Sequence, residues 1–368
     1  MWAGFAAYLG ALVLAPRLDR RLVWATIGAL LVLLACLPPL LSHDVYSYVD
    51  YARLAVRHGL DPYVHTPANA PGDPAFPHVT WTETSSAYGP LFTLATYPLA
   101  WLPVDVAVHV LKAASAAAVL AIACLLARLA PARGIEPSRA AAFVALNPLV
   151  LVHVVGGPHN DGLAVLLMTL GIAGTLTVRE APAGAAFVAA TATKASAAIA
   201  APFALLATRN QRPTGLKTIH ISALSPVGRF LVGAVVAAVV VGGVAWVGFG
   251  WSWLHAFALA GENQGRTSHL SIPITTARLT GLDPNWVRAA FITLYAVLVI
   301  HLLVWTHRGG DWLRATAWAT AGLVLATAWL LPWYLLWPLP AAALSRDRLL
   351  KLLLLGLTAY QLGARIPL

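Results

Sequence analysis

The run LVWATIGALLVLLACLPPLL at 22–41, followed directly by SHDVYSYVDYAR at 42–53, decides the fold. Twenty apolar, uncharged residues make about 30 Å of helix, the thickness of a bilayer's hydrocarbon core. Comparable runs fall at 2–16 (short), 106–127, 140–156, 162–178, 231–250, 286–305, 315–331, 333–344 and 349–366. Two further stretches are ambiguous. Residues 89–103 are short and hold Pro90, Pro98 and Pro103, which suits an interfacial or re-entrant helix. Residues 182–206 carry Lys194 at their centre. The expectation is an all-α, polytopic transmembrane helical bundle of about 10–11 membrane segments, one integral membrane domain over 1–368.

Composition agrees. The 368 residues are 59% hydrophobic and 10% charged, with mean hydropathy +0.74, against roughly 25% charged in a soluble domain. That excludes a cytosolic enzyme, a disulfide scaffold and a disordered chain. Cys36 and Cys124 sit inside apolar runs without CxxC or Cys/His spacing and read as small buried side chains. The N-terminal run has no basic region ahead of it and reads as a span, not a cleavable signal.

The net charge of +10 is no sign of nucleic acid, because bases in membrane proteins mark cytoplasmic loops. One set of connections carries Arg17, Arg20 and Arg21, then clusters near 128–139, 209–229, 308–314 and 346–351. The alternate set holds only Arg53, Arg57, Arg266, Arg278 and Arg288. The first set is therefore cytoplasmic, and the long first loop (42–88) and second loop (251–288) face outside. For Arg179 and the 207–230 loop both to be cytoplasmic, residues 182–206 must form a broken, half-depth hairpin with Lys194 near its tip. A single span is the alternative. The 207–228 stretch is the most linker-like.

Acids are scarce, so their placement is informative. Asp44, Asp50, Asp61, Asp73 and Glu83, five of 14, lie in the first outer loop. Asp44 opens a predicted helix that runs to about His58 and stops at Gly59, placing Asp44, Tyr48 and Tyr51 on one face. The plain readings are a helix cap and an interfacial aromatic belt. An acid and three tyrosines packed this tightly point further, to a site. The Pro-rich remainder of the loop, with Trp81, Tyr63 and Tyr88, could line a sugar site or simply be an ordered surface. The turn GGPHND at 156–161 puts His159, Asn160 and Asp161 at a membrane boundary. Lys194, a cation inside an apolar stretch, is the sharpest single residue, since such groups usually serve a buried anion or a pathway. Glu262, Asn263, Gln264, Arg266, His269 and Arg278 add outer-loop candidates. LPWYLLWPLP at 331–340 adds aromatics, of which Trp333 and Trp337 read most simply as interfacial anchors. There is no Gly-rich phosphate loop, nucleotide signature or HExxH helix. No cofactor and no metal site is expected.

Four stretches then carry a resemblance: DVYSYVDYARLAVRHGLDPY (44–63), AYGPL (87–91), NPLVLVHVVGGPHND (147–161) and LPWYLLWPLP (331–340), with TKASAAIAAPF (193–203) a weaker fifth. In this order the chain resembles the polytopic glycosyltransferases of the GT-C fold, most closely the polyprenol-phosphomannose-dependent α-1,6-mannosyltransferases of actinobacterial type. The resemblance implies an enzyme of the plasma (inner) membrane with its active site outside. It would move a mannosyl or related hexosyl unit from a polyprenyl-phosphate sugar to a glycan or glycolipid acceptor, with inversion. Asp44 matches the general base; Lys194, Arg266 and His159, in that order, are candidates to hold the phosphate, and Asp161 is the runner-up acid. His43, Tyr48, Tyr88, Asn160, Trp333 and Tyr334 complete the expected substrate-binding set. The rival reading is a transporter or flippase for a lipid-linked sugar; a non-catalytic assembly subunit is a third. The absence of visible repeats and the crowding of polar residues on one face weigh against transport.

Overall fold

The computed structural model describes residues 2–210, 224–262 and 266–363. Most of the linker-like stretch, together with Asn263 and Gln264, lies outside the described residues. Among those described, every regular element is helical, as the apolar runs predict. The chain begins with α1 (Trp2–Leu14), α2 (Arg20–Cys36) and α3 (Asp44–His58). It continues through α4 (Pro90–Thr96), α5 (Val104–Leu129), α6 (Pro137–Ala145), α7 (Asp161–Leu176), α8 (Glu180–Thr193) and α9 (Ala201–Asn210). After the linker come α10 (Pro226–Phe249), α11 (His255–Glu262), α12 (Ile272–Thr280), α13 (Pro284–His307), α14 (Trp312–Ala326), α15 (Leu339–Ala343) and α16 (Arg348–Gly363).

Among the described residues three helices are long and apolar enough to cross a membrane: Val104–Arg133, Pro226–Phe249 and Pro284–His307. Residues 137–156 count as a fourth if the bent pair there is one span. Helices α10 and α13 expose most of their apolar surface, including Val235, Val239, Val247, Leu294, Val297 and Ile300. In water that surface would drive aggregation, and in a bilayer it meets lipid tails. The other expected segments are shorter helices or broken ones, so they pack as parts of the bundle and fall below full-span length. Residues 140–156 bend by 62° at Asn147-Pro148, because Pro148 has no N–H to give. Beyond the bend the helix widens into π geometry over Val150–Gly156. Of the two cysteines expected to be buried, Cys36 is exposed; it is the last residue of α2, where the packed face has ended.

The stretch 182–206 is a hairpin. Helix α8 ends at Thr193, Lys194 is extended (φ −155°, ψ 125°), a 3₁₀ turn follows, and α9 returns. Both ends lie at one end of the bundle. Glu180 at the start of α8 pairs with Arg229 (3.1 Å), and Arg209 at the end of α9 reaches His307 (3.4 Å). That end also holds Arg133 paired with Asp311 and Arg314 paired with Asp347 (2.6 Å). Lys194 stands at the opposite end.

The first loop is folded, not loose. Helix α3 carries Asp44 in its first turn, Arg57 and His58 in its last, and stops at Gly59 with φ +67°, as its dipole and left-handed cap require. Behind it Arg53 and His58 pair with Asp73 at 2.7 and 2.8 Å. Asp50 is 1% exposed, with neither oxygen hydrogen-bonded. Burial first, then the Asp73 charge, pushes its carboxyl up to about 7, against the pull of His58 and Arg53. A carboxyl raised in the fold costs stability as pH climbs from about 3.9, its unfolded value, to its folded value, because over that range the unfolded chain has released the proton that the native state keeps. The wild type should therefore lose about 2 kcal/mol between pH 5 and pH 8, and Asp50→Asn should lose much less. Thermal unfolding in detergent at the two pH values checks this; parallel losses in both proteins would refute it.

Candidate functional site

The end of the bundle that holds Lys194 contains a cavity of about 410 Å³. Its wall is assembled from α3, the end of the first loop, the turn before α7, the hairpin tip and the 323–337 segment. Of the residues singled out in the sequence, Asp44, Tyr48, Tyr88, His159, Lys194, Arg266, Trp333 and Tyr334 line it. Asn160 and Asp161 lie directly behind. His43 does not take part: it is exposed and sits edge-on to Tyr46. Glu262, His269 and Arg278 are exposed and lie off the cavity.

Among the described residues Asp44 is the one carboxylate in the wall. Its Oδ1 accepts the indole N–H of Trp81 at 3.1 Å, and its Oδ2 lies 3.4 Å from Nε2 of His159. Burial alone would raise this carboxyl. The facing His159 ring, the Trp81 N–H and the Lys194 charge outweigh it and hold Asp44 below its ordinary value, so it is ionised at neutral pH. The helix N-terminus it occupies favours the same state.

Lys194 reaches the cavity because the helix breaks there. Gly89, from AYGPL, seats its N–H on the Thr193 carbonyl at 3.2 Å, and any side chain on it would strike the Ala192 carbonyl. The ammonium binds Asp161 Oδ2 at 2.7 Å and stands 5.4 and 5.9 Å from the ring centroids of Tyr334 and Trp337. Asp161 is fully buried, and its other oxygen accepts the Trp337 indole N–H at 2.6 Å. Trp337 is thus a buried hydrogen-bond donor inside the bundle and not the interfacial anchor expected of it. Asp161 is therefore the buried counter-ion of Lys194. Arg266, from the second loop, lies over the rings of Trp81 and Trp329 at 4.7 and 5.4 Å. Among the described residues no carboxylate pairs with it.

Trp329, Thr84, Ser85, Ser196 and Thr327 also line the cavity, and the sequence reading did not single them out. The available signal was adjacency to the quoted stretches: Trp329 stands two positions before LPWYLLWPLP, Ser85 and Thr84 stand two and three before AYGPL, and Ser196 falls inside TKASAAIAAPF.

No group of three or more His, Cys, Asp or Glu among the described residues could hold a metal ion. A helical membrane bundle that brings an ionised carboxylate, two cations and a set of aromatic rings around one cavity has the makeup of a membrane glycosyltransferase. The family described as "Alpha-(1->6)-mannopyranosyltransferase, N-terminal domain" matches residues 1–210. Alpha-(1->6)-mannopyranosyltransferase A of Mycobacterium tuberculosis is 34% identical over 93% of this chain and 68% of its own length. The protein of the same name from Corynebacterium glutamicum is 30% identical over 64% of this chain and 51% of its own. A probable alpha-(1->6)-mannopyranosyltransferase of Mycolicibacterium smegmatis is 28% identical over 89% and 65%. The chain belongs to this alpha-(1->6)-mannopyranosyltransferase family, and it spans about half to two thirds of these relatives' lengths. No solved structure matches it.

Proposed function

We propose that this chain, as a single integral membrane unit, transfers a mannosyl unit from a polyprenyl-phosphate sugar to a glycan or glycolipid hydroxyl at the outer face of the plasma membrane. The observation that carries this reading is the Asp44 carboxylate, ionised and facing into a cavity rimmed by Lys194 and Arg266. Asp44 takes the proton of the acceptor hydroxyl as that oxygen attacks the anomeric carbon. The bond from that carbon to the phosphate oxygen breaks, and its electron pair leaves with the phosphate. Fixed cations at the departing phosphate stabilise the charge that develops there. Arg266 carries the larger share, because Asp161 already neutralises much of Lys194. One base and, among the described residues, no second carboxylate in the wall favours a single displacement with inversion, so a β-linked donor gives an α-linked product. Tyr88, Tyr334 and the tryptophans offer faces on which a sugar ring stacks.

Sidedness rests on charge. The cavity lies opposite the end where Arg133, Arg209, Arg229 and Arg314 gather, which is the cytoplasmic end by the positive-inside rule. The test is mannosyl transfer in proteoliposomes given polyprenyl-phosphate mannose and a mannoside acceptor. Transfer by the wild type supports the reading. Movement of the lipid-linked sugar across the bilayer without transfer would replace it with the transporter.

A further inference from the structure

His159 entered as a candidate phosphate ligand, and its surroundings assign it a different task. The ring is 1% exposed and stacked on Trp333, with centroids 3.5 Å apart. Its Nδ1 lies 2.6 Å from the carbonyl oxygen of His153. A carbonyl only accepts, so Nδ1 carries the proton there and Nε2 is the nitrogen left to face Asp44. In the π-turn the N–H that would bond this carbonyl is that of residue 158, and Pro158 has none to give. Gly157 makes room: a Cβ there would stand 3.0 Å from the His153 oxygen and 3.3 Å from the His159 ring. Bend, π-turn and glycine together aim one nitrogen at one carboxylate oxygen. A phosphate ligand would need to point into the open cavity.

We propose that His159 is the proton store of Asp44, with Nε2 set beside the carboxylate to take a proton from it. This deepens the reading of Asp44 as the base and rests on it. When the acceptor O–H bond breaks, the proton passes to Asp44 and on to Nε2 of His159. The glycosidic carbon–oxygen bond forms, the carbon–phosphate-oxygen bond breaks, and the pair is left as imidazolium and carboxylate. The proton leaves to water when the product departs. The Trp333 face supports the cation while it exists. Lys194, Arg266, Tyr48, Tyr51, Tyr88 and Tyr334 face the same pair from the other walls. None of them meets the carboxylate nitrogen-to-oxygen as closely as His159 does.

The experiment is steady-state mannosyl transfer by His159→Gln and His159→Asn beside Asp44→Asn, across pH, in proteoliposomes. Glutamine can keep an amide beside Asp44 but cannot take a proton; asparagine can keep the donation to the His153 carbonyl. Both should lower kcat about 100-fold with KM values little changed. The acid limb of the kcat/KM profile should differ between the wild type and His159→Gln, since the variant has lost one of the two groups that share the proton. His159→Ala should be partly rescued by added imidazole. Full kcat with an unmoved limb in His159→Gln would overturn the proposal, as would a raised donor KM at unchanged kcat, the mark of a phosphate ligand. Loss of folding in the Gln and Asn variants, read by melting, would assign the residue to structure alone. Activity surviving in Asp44→Asn would instead remove the base reading beneath it.

Discussion

Asp44→Asn is expected to fold with the wild-type melting temperature and to transfer mannose about 1000-fold more slowly. The amide oxygen can still accept the Trp81 indole N–H, and the residue remains at the start of α3. Shape and hydrogen bonding are therefore nearly kept while the base is removed. KM values should change little, since Asp44 acts on the proton in flight and does not hold the substrate in its ground state. Equal turnover in the two proteins would move the base elsewhere. A large KM effect at constant kcat would make Asp44 a binding group.

The second large effect falls on the Lys194–Asp161 pair. Lys194→Met leaves the fully buried Asp161 with the Trp337 N–H as its strongest remaining partner. An unpaired buried charge of this kind costs about 3–5 kcal/mol, so the variant should lose most of its stability. Asp161→Asn strands the ammonium, which is less buried and can turn toward the cavity, and should cost less. The double variant Lys194→Met/Asp161→Leu removes both charges and should recover most of the stability, because replacing a buried pair by apolar groups is often neutral. It should still transfer more slowly than the wild type, because the leaving phosphate has lost one of its two cations. Thermal melting of the four proteins, with transfer measured on each, separates the two roles. Full activity in the double variant would show that Lys194 serves the fold only.

These expectations show which parts of the molecule can be read from its sequence. Helix α3 was legible to its ends, because Asp44, the 44/48/51 face and Gly59 are local signals within one stretch. The helical bundle was legible from uncharged runs. Their lengths were less so: a run such as 140–156 looks continuous in hydropathy, yet Pro148 and the π-turn bend it away from a straight span. The broken hairpin at 182–206 followed from charge bookkeeping, since only that shape puts Arg179 and Arg209 at the same end. The partners of Lys194 were hidden. Asp161 lies 33 positions away, and Trp337, which fixes Asp161, lies 176 positions from it, so only packing brings the three together. For the same reason the Trp337 indole read as an interfacial anchor, although it is a buried donor. Arg266 was visible as one of several outer-loop cations; its seat on Trp81 and Trp329 was not, because those rings come from segments with no shared period.

The most direct test is the anomeric configuration and donor dependence of the product. Purified protein in liposomes would receive a β-linked polyprenyl-phosphate mannose or a nucleotide-activated mannose, and the new linkage would be read by NMR. The result expected is an α-linked mannose from the lipid donor and none from the nucleotide donor. A β-linked product, or transfer from the nucleotide sugar, would contradict inversion at Asp44 from a lipid phosphate.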